Sequence, residues 1–318
     1  MSDDGKTLDL LAIGRSSVDL YGQQVGGRLE DMGSFAKYVG GSPTNTAIGG
    51  ARLGLKTALL TRVGGDHMGR FIREQLEREG VDAASAITDP ARLTALVILD
   101  IRDRESFPLI FYREDCADMA LSAADVDAAQ VRAARAVLIN GTHLSQPGVR
   151  ECSMKAAELA RASGGKVVFD VDYRPVLWGL TARDLGENRF VAHEAVTQIL
   201  QRVLPVCDLV VGTEEEIHIL GGSTDTIAAL RAIRERTDAL LVCKRGPDGC
   251  SAFPAAIPDN LDAGVVGPGF NVEVFNVLGA GDAFMSGFLR GWLRDLPLDQ
   301  CCELANAAGA IVVSRHGC

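Results

Sequence analysis

Asp282 stands three residues after Gly279, in the run Asn276-Val277-Leu278-Gly279-Ala280-Gly281-Asp282-Ala283-Phe284. Gly279 and Gly281 allow a tight bend and a close backbone approach to a ligand. The apolar residues Ala283, Phe284, Phe288 and Leu289 then fall at helical spacing. The first amides of a helix lack intrahelical partners and face the positive end of its dipole, so Gly279–Ala280–Gly281 is a ready anion site. A carboxylate there repels a resting phosphate, which suits a group that takes a proton from an attacking hydroxyl. The plainer role, capping the helix, also stands on spacing alone.

Other residues of the same chemical promise follow short apolar runs. Asp19 lies past Leu8–Ile13, and Gly40-Gly41-Ser42-Pro43-Thr44-Asn45 opens a helical pattern with Ser42 as expected N-cap and Pro43 as its first residue. Asn45 offers a donor and an acceptor to a hydroxyl. Arg174, in Asp170-Val171-Asp172-Tyr173-Arg174-Pro175, has the fork that binds a phosphate or carboxylate, or pairs with Asp170 or Asp172. Thr213 and Glu216 have capping-box spacing, which leaves Glu215 free to hold waters around magnesium. Lys244-Arg245-Gly246-Pro247-Asp248-Gly249 reads as a cationic turn between strands.

The elements that position these groups alternate strand and helix. Buried strands are expected at Leu8–Ile13, Thr57–Val63, Val137–Ile139, Lys166–Phe169, Asp208–Val211 and Ala239–Cys243, each followed by turn residues or a helical pattern. Ligands of such sheets gather at the carboxyl ends of the strands. Gly80 is expected to close the helix of Phe71, Ile72 and Leu76, and Val272–Phe275 reads as a short strand. Two stretches break the alternation. Tyr21–Val39 is polar and glycine-containing, while Leu93–Ile101 and Phe107–Tyr112 bracket the charged turn Arg102-Asp103-Arg104-Glu105 as a hairpin. Together they predict a small strand-built lid, about residues 20–40 and 93–113, inserted into one domain spanning 1–318.

With 318 residues and 47% hydrophobic content the chain can bury a large core. Its net charge of −10 argues against nucleic-acid or anionic-membrane partners. No apolar run approaches a membrane span, and the polar start MSDDGKT has no signal-peptide character. The eight cysteines form no C-x-x-C pair and the five histidines are scattered, so free thiols in a cytoplasmic protein are expected. Glu303–Val313 is a small-residue helix that another surface can approach closely.

Two long motifs, GGSPTNTAIGGARLG and NVLGAGDAFMSGF, resemble the PfkB (ribokinase-like) family of sugar kinases over nearly the whole chain. The segments GRSSVDLYGQQ, FYRED and FDVDYRPVLWG resemble the branch that acts on keto-deoxy sugar acids. The resemblance implies a three-layer α/β/α fold with a mainly parallel sheet, and phosphoryl transfer from ATP with Mg2+. It makes Asp282 the base and Gly279–Gly281 the anion hole. Asp19, Gly40, Gly41 and Asn45 would hold sugar hydroxyls, Tyr112 and Arg113 the substrate carboxylate, and Arg174 would lie between substrate and phosphates. Lys244, Gly246, Gly249 and Asn306 would follow the nucleotide, with Glu215 near hydrated magnesium. Asn276 stands where the family's usual Asp-Thr-Thr begins, beside its monovalent-cation site, so K+ stays open, as does a homo-oligomer. The family's chain also continues with a further helix beyond Ser314–Cys318.

Two readings compete with a kinase. A binding protein that has lost its chemistry would lack the base or the anion hole, and both are present. A nicotinamide enzyme needs G-x-G-x-x-G after the first strand, where Gly14-Arg15-Ser16 stands instead.

Overall fold

Leu8–Ile13 has no polar alternation after Asp9 because both of its faces are covered. In the computed structural model, which describes residues 5–102, 107–183, 186, 188 and 190–315, Leu11 and Ile13 enter one apolar core and Leu10 and Ala12 the other. This strand, β1, is followed by β2 (Ser17–Gly22), β3 (Phe35–Gly40), helix α1 (Ser42–Arg52), β4 (Thr57–Gly64), α2 (His67–Arg78) and β5 (Ala86–Asp89). Next come β6 (Ala95–Leu99), β7 (Leu109–Tyr112), α3 (Ala128–Ala133), β8 (Ala134–Asn140), α4 (Pro147–Ala162), β9 (Lys166–Asp170) and α5 (Glu194–Gln201). The chain continues through β10 (Leu209–Thr213), α6 (Glu214–Gly221), α7 (Thr226–Arg234), β11 (Leu240–Lys244), β12 (Cys250–Phe253) and β13 (Val265–Gly267). It ends with α8 (Ala280–Trp292) and α9 (Leu298–Val313).

The large sheet has the order β13-β12-β11-β10-β9-β8-β1-β4-β5. From β11 through β10, β9, β8, β1 and β4 to β5 the strands run parallel, and β12 and β13 add antiparallel pairs at one edge. Helices α1, α2, α8 and α9 cover one face and α3 to α7 the other, which gives the expected three layers. Chain order reverses between β1 and β8. That reversal opens a crevice at the strands' carboxyl ends.

A second sheet, β3-β2-β6-β7, stands over this crevice. Its strands fall within the two stretches that interrupt the alternation, although β2 begins at Ser17, earlier than expected. The charged turn expected between β6 and β7 lies mostly outside the described residues. Val97, Leu99 and Leu109 build the inner apolar face, against which Phe111 and Leu278 pack. Leu278 ties this sheet to the turn that enters α8.

Local signals explain most boundaries. Thr213 and Glu216 form the capping box of α6, and Gly80 follows the end of α2 with φ 78°. Two details differ. Gly41, not Ser42, is the N-cap of α1, because the Ser42 hydroxyl turns toward Asp170. Val272–Phe275 is not a strand; Phe275 and Asn276 instead donate their amides to the Val313 carbonyl. The small-residue surface of α9 packs on α8, where a β-carbon on Gly287 would meet the Leu304 carbonyl at 2.6 Å.

Candidate active site

Gly279 adopts φ 79° as the N-cap of α8 and makes no side-chain cap, which leaves Asp282 as the helix's third residue. Asp282 does not cap the helix. Its carboxylate turns across the crevice and accepts from Asn45 Nδ2 of α1 at 2.8 Å. Burial raises its pKa and Asp172 adds to this, while hydrogen bonds from Asn45 and Ser42 and the charge of Arg15 oppose. A carboxylate so placed holds a proton more readily than a surface aspartate.

Lys244, at the end of β11, brings its ammonium to 3.6 Å from both Asp170 Oδ1 and Glu216 Oε2. The same nitrogen lies 3.4 Å from where a β-carbon on Gly281 would be, so it stands beside the first turn of α8. Burial lowers the pKa of Lys244, but the charges of Asp170, Glu216, Asp282 and Asp172 outweigh it and hold the ammonium charged. A lysine and a helix amino end here face the same point, an arrangement suited to phosphate.

The other end of the crevice is lined by Arg15, Asp19, Asn45, Arg174 and the ring of Phe111. Asp19 has its pKa raised to about 6 by burial, against a hydrogen bond from Ser17. A β-carbon at Gly40 would fall 2.1 Å from the Asp19 carboxylate, so only glycine leaves room for that side chain. Gly41 lies in the same wall. Arg15 and Arg174 approach one carboxylate, Asp172, at 3.6 and 3.7 Å. Asn140 donates to Ser42 Oγ at 3.0 Å and Ser42 to Asp170 at 3.3 Å, which fixes the crevice floor.

The sequence expectations for Asp282, Gly279, Ala280, Gly281, Asp19, Gly40, Gly41, Asn45, Arg174 and Lys244 thus meet around one crevice. Others fall elsewhere. Tyr112 is 55% exposed on the outer side of the small sheet, because alternation along β7 gives the crevice to Phe111. Arg113 lies behind the crevice, paired through one terminal nitrogen with buried Asp118, while its Nε and other terminal nitrogen have no acceptor. Asn306 donates to the carbonyls of Gly267 and Pro268 at 2.8 and 3.0 Å, holding the chain after β13. Gly246 and Gly249 flank the turn after Lys244.

Glu215 is exposed, and the acid that faces Lys244 is Glu216, which also caps α6. Asn276 is buried, with its side-chain oxygen engaged by the Leu278 amide at 2.8 Å. The atom it leaves without a partner is its amide nitrogen, which does not ligate a cation. Arg15, Ser42, Asn140 and Glu216 are members of the crevice that sequence reasoning missed. Their only signal is position at a strand's carboxyl end or a helix's first turn.

A crevice with a buried carboxylate at a helix amino end, a facing lysine and a polar, lidded pocket suits phosphoryl transfer to a hydroxyl. A profile of the pfkB family carbohydrate kinases matches residues 7–318. This chain belongs to that family. Among pfkB relatives, the 5-dehydro-2-deoxygluconokinase of Shouchella clausii (strain KSM-K16) is 35% identical over 98% of this chain and 92% of the relative. The crystal structure of a PfkB protein from Polaromonas sp. JS666 superposes with TM-score 0.81 at 28% identity, covering 97% of this chain and 96% of that one. A sugar kinase from Pyrococcus horikoshii, crystallised in complex with ATP, gives TM-score 0.78 at 27% identity over 97% and 93% of the two chains. The pfkB fold therefore accounts for the three layers and the mainly parallel sheet.

Proposed function

We propose that this chain transfers the γ-phosphoryl group of ATP to the terminal hydroxyl of a keto-deoxy sugar acid, converting 5-dehydro-2-deoxy-D-gluconate to its 6-phosphate. The observation that carries the reading is Asp282 at the amino end of α8, bonded to Asn45 and approached from the other side by Lys244. The relatives at 35% identity supply the substrate class.

In this reading the substrate hydroxyl gives its proton to Asp282 as its oxygen bonds to the γ-phosphorus. The bond to the leaving ADP oxygen breaks, and the proton stays on Asp282. The Gly279–Gly281 amides and Lys244 face the charge carried by the transferring group. Asp19 and Asn45 orient the sugar hydroxyls, and the small sheet excludes water. Mg2+ bound with ATP would supply neutralisation of phosphate charge here. Asp170 and Glu216 are the carboxylates that fit its hydration shell, since Asp170 Oδ1 is buried without a hydrogen-bond partner. Among the described residues no three acidic, His or Cys side chains gather to bind a metal alone.

The described cysteines are free and buried, and no described helix is long and apolar enough to cross a membrane. The free, buried thiols suit work in the cytoplasm, where ATP is available. The exposed side chains of Leu93 and Tyr112, outside the small sheet, offer a second copy a place to attach. An ATP-consumption assay over a panel of keto-deoxy sugar acids and neutral ketoses tests the function. Turnover is expected for the acids, foremost 5-dehydro-2-deoxygluconate. Turnover confined to neutral sugars contradicts it.

A further inference from the structure

Arg15 is one of two arginines at the sugar end of the crevice. It follows β1 at the point where the sheet order reverses, and its carbonyl accepts from Thr44 Oγ1 at 2.8 Å. The residue is 7% exposed, and its guanidinium lies 6.0 Å from the Phe111 ring centre. Its nearest carboxylate, Asp172, is at 3.6 Å, beyond hydrogen-bond reach, and its Nε is buried with no acceptor. Arg174 repeats the pattern: Asp172 is 3.7 Å away, and Nε and one terminal nitrogen lack acceptors. Two guanidinium groups thus share one carboxylate and keep unsatisfied donors, a state that buried polar groups rarely hold without a ligand.

We propose that Arg15, with Arg174 beside it, reads the carboxylate of the sugar acid, and that Arg113 does not. The inference rests on the sugar-acid kinase reading. A planar two-oxygen anion satisfies the free donors of a guanidinium fork. The phosphoryl end already has Lys244 and the α8 amides. Arg15 lies at the other end, beside Asp19 and Phe111. Arg113 pairs with Asp118 and also keeps donors without acceptors, but neither residue lines the crevice, so a sugar acid seated there meets Arg15 and Arg174.

Michaelis constants for 5-dehydro-2-deoxygluconate and for its neutral C1 amide, in wild type, Arg15→Met, Arg15→Lys and Arg113→Met, test this. For Arg15→Met the KM of the acid is expected to rise roughly 10- to 150-fold, with the amide, the KM of ATP and kcat changed little. Arg15→Lys should recover only part, since an ammonium lacks the fork. Melting curves of each variant show whether the fold is kept at the assay temperature, and Arg15→Lys serves should Arg15→Met lose it. Equal losses for acid and amide, or a fall in kcat for both, overturn the proposal by assigning Arg15 to the pocket's shape or to the phosphoryl group. So does a larger acid-specific loss in Arg113→Met. A wild-type enzyme that phosphorylates no sugar acid overturns the function itself, before any variant is compared.

Discussion

Asn45 and Asp282, 237 residues apart in sequence, are joined by a 2.8 Å hydrogen bond from amide nitrogen to carboxylate. The bond links the amino ends of α1 and α8, the two helices that supply the glycine-rich turns. It also favours the charged form of Asp282 against a burial that raises its pKa. Asn45→Ala removes that donor, so the acid limb of the kcat profile should move to higher pH. Turnover at neutral pH should fall by roughly 10- to 100-fold at most, since Asn45 is not itself the base. A pH–rate profile of the variant checks this. An unmoved limb would separate Asn45 from Asp282.

Asp19 makes a prediction about stability. Its folded pKa, about 6, exceeds the unfolded value of 3.8, so the folded state holds the extra proton between those limits. Stability from this group is therefore present below about pH 4 and is lost as pH rises through 6. Asp19→Asn should raise the melting temperature of the ligand-free protein at pH 8, by roughly 2–6 °C. The gain should vanish near pH 4, while kinase activity drops. Melting curves at the two pH values decide it. A gain equal at both would assign the effect to packing.

Much of this was legible in the residues. Unalternating apolar runs such as Leu8–Ile13 mark strands covered on both faces, and those runs fix a parallel sheet and the edge where ligands gather. The glycine turn before Ala283 marks the amino end of α8. Side-chain direction was less legible. Tyr112 and Phe111 are adjacent on β7, and only pairing register gives the crevice to Phe111. Glu215 and Glu216 are likewise neighbours, and the capping role assigned to Glu216 hid the fact that it also faces Lys244. Arg113 looked free because its partner Asp118 is held in a short 3-10 turn that carries no strong sequence pattern.

Arg113 and Asp118 are both buried and bonded to one another. Arg113→Met strands a buried carboxylate and should cost about 3–5 kcal/mol of stability. The double change Arg113→Met with Asp118→Leu should recover much of that loss, because no charge is then left unpaired. Denaturant unfolding of the single and double variants measures it. A double variant as unstable as the single one would mean that packing, and not the pair, is at stake.

The small sheet should close over the substrate. Leu278 packs against its inner face and leads directly into the α8 turn, so ordering one end orders the other. Hydrogen exchange with and without sugar acid should show added protection in β2, β3, β6 and β7 together. Protection limited to the large sheet would contradict closure.

The most direct measurement is single-turnover phosphoryl transfer by Asp282→Asn, with ATP and sugar acid both saturating. Asparagine keeps the shape and the side-chain oxygen but cannot take the hydroxyl proton. The rate should fall by roughly 10²- to 10⁴-fold, with ATP affinity kept within a few-fold. The melting temperature should not drop, because Gly279 and not Asp282 is the N-cap of α8. A variant that transfers phosphate at near the wild-type rate, and loses only thermal stability, would show that Asp282 supports the helix and that another group takes the proton.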